Sequence, residues 1–309
     1  MKIGIIGAMD EEIALYLDAM QGAAASTKAG ITYYEGELEG KPVVLCKSGV
    51  GKVNAAVTTQ VLIERFQVDC VIFTGVAGAV HPELNIGDIV VSADCVQHDI
   101  DVTALGFQPG QIPFTDRWVW KADDRLRQLA LEAGKDLEAG VRVVSGRILS
   151  GDQFIASRDK VQWLHEQFDA SCTEMEGAAV AQVCAMNEVP FVIVRSMSDN
   201  ADGSAHVNFT EFTRLASRRS YAIVTRMLAN MSPGVIVYST QNCVDCNLVK
   251  EWLTAKGIPF VVRDVMASPA YQEEVERFGF MGVPVTVSGG KAVKGFQPDE
   301  LEKLIAGEL

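Results

Sequence analysis

Short runs rich in Val and Ile alternate with longer helical stretches through the first 231 residues of the sequence. The runs predict strands over 2–9, 43–49, 70–78, 88–93, 141–151 and 190–199. The intervening stretches predict helices over about 10–20, 51–66, 122–139, 157–168, 176–188 and 210–230. Nearly continuous Val and Ile runs indicate strands buried on both faces, as in a sheet covered by helices. The first 231 residues are therefore predicted to form a layered α/β domain.

A second and smaller domain is predicted after the sequence Met231-Ser232-Pro233-Gly234, so that the two domains cover residues 1–231 and 232–309. The predicted strands are 235–240, 259–265, 284–288 and 291–295, and the predicted helices are 243–257, about 269–279 and 298–306. The order β-α-β-α-β-β-α is that of a thioredoxin-like fold, and its length lies within the usual range for a domain.

Composition excludes several classes of function. Apolar residues make up 48% of the chain and charged residues 22%, as in ordinary globular proteins. The net charge of −13 is spread over both predicted domains without a basic block, so nucleic acid is not expected as a partner. The start MKIGIIGAMDEE lacks the pattern of a signal peptide, and no apolar run reaches the roughly 20 residues that span a bilayer. We therefore expect no membrane association.

The cysteines indicate a reducing compartment. Five of the seven are isolated and mostly lie in apolar runs, which predicts reduced core cysteines: Cys46, Cys70, Cys95, Cys172 and Cys184. Only Cys243 and Cys246 form a C-x-x-C pair. An odd number of cysteines with one close pair favours the cytoplasm.

Three acidic residues stand at the ends of elements in the first domain. Glu12 follows the first strand, Glu176 opens a helix and Asp199 closes the last strand. Ligands of α/β sheets bind outside the carboxyl ends of strands, so these side chains are expected to meet in one cleft. Each residue alone is better explained as a helix cap or part of a solvated turn, since acidic residues favour helix starts. Asp10 is expected to cap the first helix.

The segments around these acids are more specific than the acids themselves. They are, in order, IGAMDEE, KSGVGKVNAA, TGVAG, GDIVVS, SGDQFI, EMEGAA and VRSMSDNAD. With these segments the sequence resembles the 5′-methylthioadenosine/S-adenosylhomocysteine nucleosidases over essentially all of residues 1–231. The resemblance implies a three-layer α/β/α fold of the nucleoside phosphorylase type. It also implies hydrolysis of the N-glycosidic bond of both nucleosides, giving adenine and the 5-thioribose product.

The resemblance assigns catalytic roles to five residues. Asp199 is the implied acid that protonates adenine N7, which requires a carboxyl with a raised pKa, and Ser198 holds it. Glu12 is the implied base that activates water, with Arg195 orienting the water. Glu176 is expected to accept hydrogen bonds from the ribose hydroxyls, which strengthen as positive charge develops on the sugar ring.

The same resemblance implies a binding pocket. Phe154 is expected to stack on adenine while the backbone of Ile155 reads the edge of the base, and Met175 is expected to contact the ribose. The remaining implied pocket residues are Met9, Val50, Val76, Ala77, Gly78 and Phe209. Where the family usually has a serine that places sugar or water, this chain has Val76.

A homodimer is also implied, because in this family a neighbouring subunit completes the apolar pocket for the 5′ substituent. Val102, Phe107 and Pro113 lie in the matching loop, DVTALGFQPGQIP. This loop is unusually apolar for a surface loop, which favours the interface interpretation.

Two related activities are the nearest alternatives in the first domain. Purine nucleoside phosphorylases share the fold but need arginines to hold phosphate, and the loops GAMDEE and TGVAG contain none. Cleavage of aminodeoxyfutalosine, another adenine nucleoside, stays open. His98 is expected at the surface, and the spacing of His81, His165 and His206 does not fit metal ligands. We expect neither a metal nor a cofactor.

The second domain carries a candidate dithiol, because Cys243 and Cys246 follow a strand and begin a helix. A helix N-terminus lowers the pKa of the first thiol, which makes Cys243 the expected attacking thiolate and Cys246 the resolving thiol. A zinc site would need a second ligand pair, which the sequence lacks. Pro284 is expected to be the cis-proline that borders the dithiol in thioredoxin folds.

Residues 233–309 resemble glutaredoxin-like and small redoxin proteins in the segments YSTQNCVDC, GFMGVPV and KGF. Many of these proteins have a lysine for a glutathione carboxylate where this chain has Thr240. The expected thiol reductant is therefore either glutathione or a protein of the thioredoxin-reductase type. The alternative is that this domain is a non-catalytic docking or redox-sensing module.

Overall fold

A computed structural model describes residues 1–135, 137–138, 140–199, 205–231, 234–258 and 260–309, with side chains for all of these except 205–211. The contacts divide the chain into two compact units, Met1–Asn230 and Met231–Leu309. Among the described residues, no helix combines the length and the apolar character needed to cross a membrane.

The first unit alternates strands and helices along the chain. The strands are β1 (Ile3–Gly7), β2 (Gln21–Lys28), β3 (Ile31–Leu38), β4 (Lys41–Lys47), β5 (Cys70–Ala79), β6 (Ile89–Gln97), β7 (Trp120–Lys121), β8 (Val143–Ser150), β9 (Cys172–Glu174) and β10 (Phe191–Asp199). The helices are α1 (Asp10–Ala19), α2 (Lys52–Phe66), α3 (Asp124–Gly134), α4 (Arg158–Phe168), α5 (Gly177–Met186) and α6 (Ala205–Asn230). The predicted α/β class is confirmed.

These strands form one mixed sheet with the order β10-β6-β8-β9-β5-β1-β4-β3-β2, and β7 pairs with β6. Because β10 also pairs with β5, the five strands β5, β9, β8, β6 and β10 close into a ring. Strand β1 runs parallel to β4 and β5, and β10 runs parallel to β5. The carboxyl ends of β1, β5 and β10 therefore lie at the same edge of the sheet.

The central strands are buried on both faces, as their unbroken apolar runs predict. Every residue of β5 and of β10 is buried. The five isolated cysteines are likewise buried and unpaired, which confirms that part of the cysteine prediction. The main core also includes side chains of α2 and α5, such as Leu62 and Val180.

Four strands were not predicted: β2, β3, β7 and β9. The hairpin β2–β3 lacks a signal in β2, because QGAAASTK is almost entirely exposed and shows no apolar alternation. Strands β7 and β9 have two and three residues, which is too short to give a recognisable period. The prediction that Asp10 caps α1 was also wrong: Met9 is the N-cap and Asp10 is the first helical residue.

The second unit contains β11 (Val235–Ser239), α7 (Val244–Ala255), β12 (Phe260–Asp264), α8 (Pro269–Arg277), β13 (Val285–Ser288), β14 (Lys291–Lys294) and α9 (Pro298–Ala306). Its sheet has the order β12-β11-β13-β14, with β11 parallel to β12 and the other pairs antiparallel. Alternate residues of β11 face two different clusters: Val237 packs with residues of α7 and α9, and Ile236 packs with Val275 of α8. The predicted thioredoxin-like element order is confirmed.

Candidate active site

A cavity of about 330 Å³ opens at the edge of the first unit where β1, β5 and β10 end. Its lining residues are Ala8, Met9, Glu12, Val50, Val76, Ala77, Gly78, Gln153, Phe154, Ile155, Thr173, Glu174, Met175, Glu176, Ser198 and Asp199. Most of the residues that the sequence assigned to one site therefore meet around one cavity. Arg195 lies beside this group, since its side chain pairs with the carboxylate of Glu174, which lines the cavity.

Glu12 is held in the first turn of α1 by backbone N–H groups. Its Oε2 accepts hydrogen bonds from the N–H groups of Ala8 at 2.6 Å and Met9 at 3.0 Å, and its Oε1 accepts one from the N–H of Val76 at 2.9 Å. Burial raises the pKa of Glu12 above its ordinary value, although Arg195 and these three N–H groups act in the opposite direction. A buried carboxylate with a raised pKa is suited to accept a proton.

Gly75 allows the close approach of Glu12 and Arg195. A Cβ at this position would collide with Oε1 of Glu12 and with Nη1 of Arg195. Gly75 also pairs with Arg195 across the β5–β10 ladder. The glycine of the TGVAG segment therefore lets the carboxylate and the guanidinium lie side by side above β5.

Arg195 is oriented by Glu174, a residue to which the sequence analysis gave no role. Nη2 of Arg195 contacts Oε2 of Glu174, and both side chains are almost fully buried. The guanidinium carbon lies 3.9 Å from the centre of the Phe73 ring. Nε and Nη1 of Arg195 have no hydrogen-bond partner among the described residues. Arg195 therefore retains two buried N–H donor groups, and its Nη1 lies on the Glu12 side.

Ser150, at the end of β8, forms hydrogen bonds that help to hold the carboxylate of Glu174 in place. The hydroxyl of Ser150 donates to Oε1 of Glu174 and accepts from the N–H of Ala178 at 2.6 Å. Both oxygens of Glu174 also accept from the N–H of Gly177, at 2.9 and 2.8 Å. Glu174 thus acts as an acceptor in each of these contacts.

Glu176 is the N-cap residue of α5 and lies two residues beyond Glu174. Its Oε1 accepts a hydrogen bond from the N–H of Gly51 at 2.8 Å, and its Oε2 lies 4.0 Å from Nη2 of Arg195. Burial and the negative charge of Glu174 raise the pKa of Glu176, while Arg195 acts in the opposite direction. Glu176 and Glu174 therefore share one guanidinium.

Asp199 and Ser198 end β10, where the pairing with β5 is irregular. Met197 pairs with Ala77 and Asp199 pairs with Gly78, so Ser198 is an extra residue in β10. A bulge of this kind redirects the side chains around it. The hydroxyl of Ser198 donates to Oδ2 of Asp199 at 2.9 Å, and Asp199 is only 2% exposed. This hydrogen bond agrees with the expectation that Ser198 holds Asp199.

The predicted base-binding residues lie in the loop between β8 and α4. Phe154 is 52% exposed, whereas Ile155 is buried, and both line the cavity. Met9, Val50 and Met175 line it from other loops. Val76 presents an apolar side chain, but its N–H still binds Glu12.

Besides Arg195, four residues predicted for this site are not placed in the cavity lining. Val102, Phe107 and Pro113 lie in the loop after β6 and are absent from its lining. The same loop carries exposed Leu105 and Phe114. Phe209 lies outside the residues whose side chains the structure describes.

The prediction that His98 lies at the surface was wrong. Its side chain is 3% exposed, because β6 continues to residue 97 and places His98 against the loop after β8. A Cβ on Gly151 would collide with the His98 ring. Burial lowers the pKa of His98 to about 4, so the ring is neutral at pH 7. Within the described part of the chain, no cluster of three or more His, Cys, Asp or Glu side chains is arranged to hold a metal ion.

The second unit has its own candidate site. Cys243 and Cys246 form a disulfide. Cys243 is the N-cap residue of α7, and its sulfur accepts a hydrogen bond from the N–H of Cys246 at 3.2 Å. Cys246 is fully buried, whereas Cys243 is half-buried. The peptide bond between Val283 and Pro284 is cis, as the sequence predicts.

Comparison with known families found a match for each of the two units. The family model of the Phosphorylase superfamily matches residues 2–229, so the chain belongs to this superfamily. A nucleosidase of Anoxybacillus flavithermus that is named for 5′-methylthioadenosine and S-adenosylhomocysteine is 42% identical over 233 residues, which are 75% of this chain and 100% of the relative. Within the superfamily, the chain belongs to the 5′-methylthioadenosine/S-adenosylhomocysteine nucleosidase family. The Glutaredoxin family model matches residues 235–293.

Solved structures show the same similarity. A Neisseria meningitidis nucleosidase of this family, in complex with methylthio-immucillin-A, is 40% identical with a TM-score of 0.72, and the match covers 74% of this chain and 99% of that one. A futalosine hydrolase mutant of Helicobacter pylori is 34% identical with a TM-score of 0.71, covering 75% and 100%. The three-layer fold of the nucleoside phosphorylase type is thereby confirmed.

Proposed function

We propose that the first unit hydrolyses the N-glycosidic bond of 5′-methylthioadenosine and S-adenosylhomocysteine, giving adenine and the 5-thioribose product. The observation that carries the proposal is that Glu12, Glu176 and Asp199 are buried around one cavity. The guanidinium of Arg195 lies near Glu12 and Glu176. Cleavage through an oxocarbenium-like sugar needs an acid for the leaving base, a base for water and negative charge near the ring.

Asp199 is the proposed acid. Its proton passes to N7 of adenine as the bond between N9 and the sugar breaks, so that adenine leaves as a neutral base. The hydrogen bond from Ser198 holds the carboxyl in the orientation that this transfer requires. Phe154 stacks on the adenine ring and the Ile155 backbone reads its edge, which fixes N7 beside Asp199.

Glu12 is the proposed base. One of its oxygens takes a proton from water while the water oxygen attacks the anomeric carbon. The unpaired N–H groups of Arg195 are available to a water oxygen beside Glu12. Glu176 accepts hydrogen bonds from the ribose hydroxyls and stabilises the positive charge that develops on the ring.

The charge balance favours water over phosphate as the nucleophile. Glu12, Glu174 and Glu176 surround the single guanidinium of Arg195, which is already paired with Glu174. Phosphate would bring negative charge into a site where this guanidinium is already paired, and a buried charge without a partner is costly. A neutral nucleoside pays no such penalty, and its cationic transition state is attracted.

The same proposal includes a homodimer. Val102, Phe107 and Pro113 do not line the cavity of their own subunit, which agrees with a role in the 5′-substituent pocket of a neighbouring subunit. The apolar character of their loop suits contact with an alkylthio group. The proposal also includes a cytoplasmic location, which the five unpaired cysteines support.

The test is adenine release by the full chain from 5′-methylthioadenosine, S-adenosylhomocysteine and aminodeoxyfutalosine, with and without phosphate. We expect release from the first two nucleosides at a rate that phosphate does not change, with free thioribose as the second product. A requirement for phosphate, or a sugar 1-phosphate product, would assign the chain to the phosphorylases instead.

Aminodeoxyfutalosine is the second candidate substrate. The observation in its favour is the similarity to the Helicobacter pylori futalosine hydrolase over 75% of this chain. A kcat/KM for aminodeoxyfutalosine well above that for the two thio-substituted nucleosides would select this alternative.

For the second unit we propose dithiol–disulfide exchange. The thiolate of Cys243 attacks one sulfur of a substrate disulfide, forming a mixed disulfide and releasing the other sulfur as a thiolate. Cys246 then attacks Cys243, which releases the second thiolate and leaves the Cys243–Cys246 disulfide. A thiol reductant, either glutathione or a protein of the thioredoxin-reductase type, returns the two electrons.

The position of Cys243 at the N-terminus of α7 supports this assignment, because the helix dipole stabilises a thiolate there. Turnover of a small disulfide with either reductant tests it. A docking or redox-sensing module would show the same reversible disulfide without turnover.

A further inference from the structure

The side chains of Lys52, Asp99 and Asp152, which we call the loop clamp, join the loop after β6 to two loops that border the cavity, the one before α2 and the one after β8. Lys52 is the first residue of α2, Asp99 lies two residues after β6, and Asp152 lies two residues after β8. Nζ of Lys52 donates to Oδ1 of Asp99 at 2.6 Å. The N–H of Asp152 donates to Oδ2 of Asp99 at 3.0 Å, and the N–H of Lys52 donates to Oδ1 of Asp152 at 2.8 Å.

These three hydrogen bonds form a closed cycle in which each loop is bound to the other two. The side chains of Lys52 and Asp99 are only 17% and 13% exposed, so their ion pair is screened less than a surface pair. Burial alone would raise the pKa of Asp99, but the Lys52 ammonium and the Asp152 N–H hold it below its ordinary value. Asp99 therefore stays ionised at neutral pH and is the shared acceptor of the cycle.

The loop clamp is connected directly to the proposed nucleoside site. Gly51 precedes Lys52, and its N–H donates to Glu176, the proposed ribose-binding carboxylate. A Cβ on Gly51 would lie 3.1 Å from Oδ1 of Asp152, so the turn before α2 fits closely against this aspartate. Asp152 in turn precedes Phe154 by two residues in the loop that holds the adenine ring. A displacement of Asp99 would therefore move groups on both the ribose side and the base side.

We propose that Asp99 is a positioning residue for nucleoside binding: it fixes the first turn of α2 and the 151–155 loop, so that Glu176 and Phe154 face the same nucleoside. This inference rests on the proposed nucleosidase function, because it assigns ribose to Glu176 and adenine to Phe154. The inference thereby assigns a role in nucleoside binding to Lys52, Asp99 and Asp152, none of which acts on the reacting atoms.

The test compares Asp99→Asn, Lys52→Met and the double variant with the wild-type full chain. The matched control is Lys135→Met, which breaks an exposed ion pair with Glu132 in α3, remote in the fold from the loop clamp. For 5′-methylthioadenosine we expect KM to rise about tenfold in each single variant while kcat changes less than about threefold, since the loops bind but do not react. The double variant should be no worse than the more impaired single variant, because both substitutions break one cycle.

Several results would overturn the proposal. An unchanged KM in Asp99→Asn would do so, as would an equal rise in Lys135→Met or a double variant whose KM multiplies the two single effects. A fall in kcat at unchanged KM would indicate loss of folded enzyme instead of misplaced loops.

Adenine binding by calorimetry separates this proposal from the proposed reaction. If the wild-type protein binds adenine but hydrolyses none of the three nucleosides, the proposed function fails. In that case the proposed positioning role of Asp99 is tested by the affinity for adenine, which should weaken about tenfold in Asp99→Asn. Unchanged adenine affinity, or no adenine binding by the wild-type protein, would refute it.

Discussion

Replacing Glu12 by glutamine separates the proposed chemistry from the packing around the carboxylate. The substitution keeps the shape of the side chain and exchanges one oxygen for an NH2 group. Oε2 of Glu12 accepts two backbone N–H groups, whereas Oε1 accepts one, from Val76. The amide oxygen is therefore expected at the Oε2 position, where it keeps two hydrogen bonds, and the NH2 group is expected to face Val76.

The expected loss of rate follows from proton transfer. An amide cannot take a proton from water, and one general base contributes about 10²- to 10⁴-fold. We expect kcat for adenine release to fall at least about 100-fold, which is about 2.7 kcal/mol of activation free energy. In the wild-type enzyme, kcat/KM should fall on the acid side at a higher pH than an ordinary glutamate would give, because the pKa of Glu12 is raised.

The expected effect on stability depends on pH. The N–H of Val76 loses its acceptor, which costs about 1–3 kcal/mol at a buried site. The raised pKa of Glu12 means that the folded wild-type protein binds this proton more tightly than the unfolded chain. The stability that Glu12 contributes to the wild-type protein is therefore fully present below the pKa that Glu12 has in the unfolded chain. It is lost as pH rises through the pKa that Glu12 has in the folded protein. Glutamine does not titrate, so the stability deficit of the variant should shrink between pH 5 and pH 8.

The assay measures kcat for 5′-methylthioadenosine, with adenine binding to count folded sites and thermal unfolding at both pH values. The matched control is Glu11→Gln, since Glu11 is the preceding residue in α1 and is exposed. The reasoning is refuted if Glu12→Gln keeps more than about a tenth of the wild-type kcat, or if Glu11→Gln loses as much.

Four further substitutions test the remaining assignments. Asp199→Asn should lower kcat at least about 100-fold by removing the proton for adenine N7, and near-normal adenine release would contradict that role. Val76→Ser should raise kcat/KM roughly two- to tenfold, the scale of one added hydrogen bond, and unchanged activity would indicate a pocket rebuilt around valine. Cys243→Ser should abolish disulfide reduction and Cys246→Ser should trap a mixed disulfide, as mass spectrometry can show; alkylation of Cys246 before Cys243 would reverse the assignment.

The element order of the second unit was predictable because each element has its own local signal. Val235–Ser239 is a short apolar run, α7 begins at a cysteine pair, and α8 and α9 each start with a proline. In the first unit the same logic found the long buried strands but missed β7, β9 and the hairpin β2–β3, in which the place of β2 depends on pairing with β3. Pairing between strands leaves no mark on a sequence as polar as QGAAASTK.

The site was predictable to the extent that it lies at strand ends. Glu12 follows β1 and Asp199 closes β10, two strands that run parallel to β5, so their convergence follows from topology. Glu176 follows β9, which runs antiparallel to β5, and it reaches the site because β9 pairs with the last residues of β5. No comparable sequence signal predicts the contacts of the loop clamp or the burial of His98. Their partners lie about 50 to 100 residues away along the chain and include backbone groups, as in the contact between Lys52 and Asp152. Residue types alone do not reveal such contacts.

The segment EMEGAA shows why two glutamates two residues apart take different roles. Alternation along a strand would place Glu174 and Glu176 on the same face. Strand β9, however, ends at Glu174, where Ser150 of β8 pairs with it, while β5 pairs with the strand only as far as Thr173. Beyond that point the chain turns into α5, so Glu174 faces Arg195 and Glu176 becomes the helix N-cap beside the cavity. The end of the strand pairing thus separates the carboxylate that positions the arginine from the one that is proposed to bind ribose.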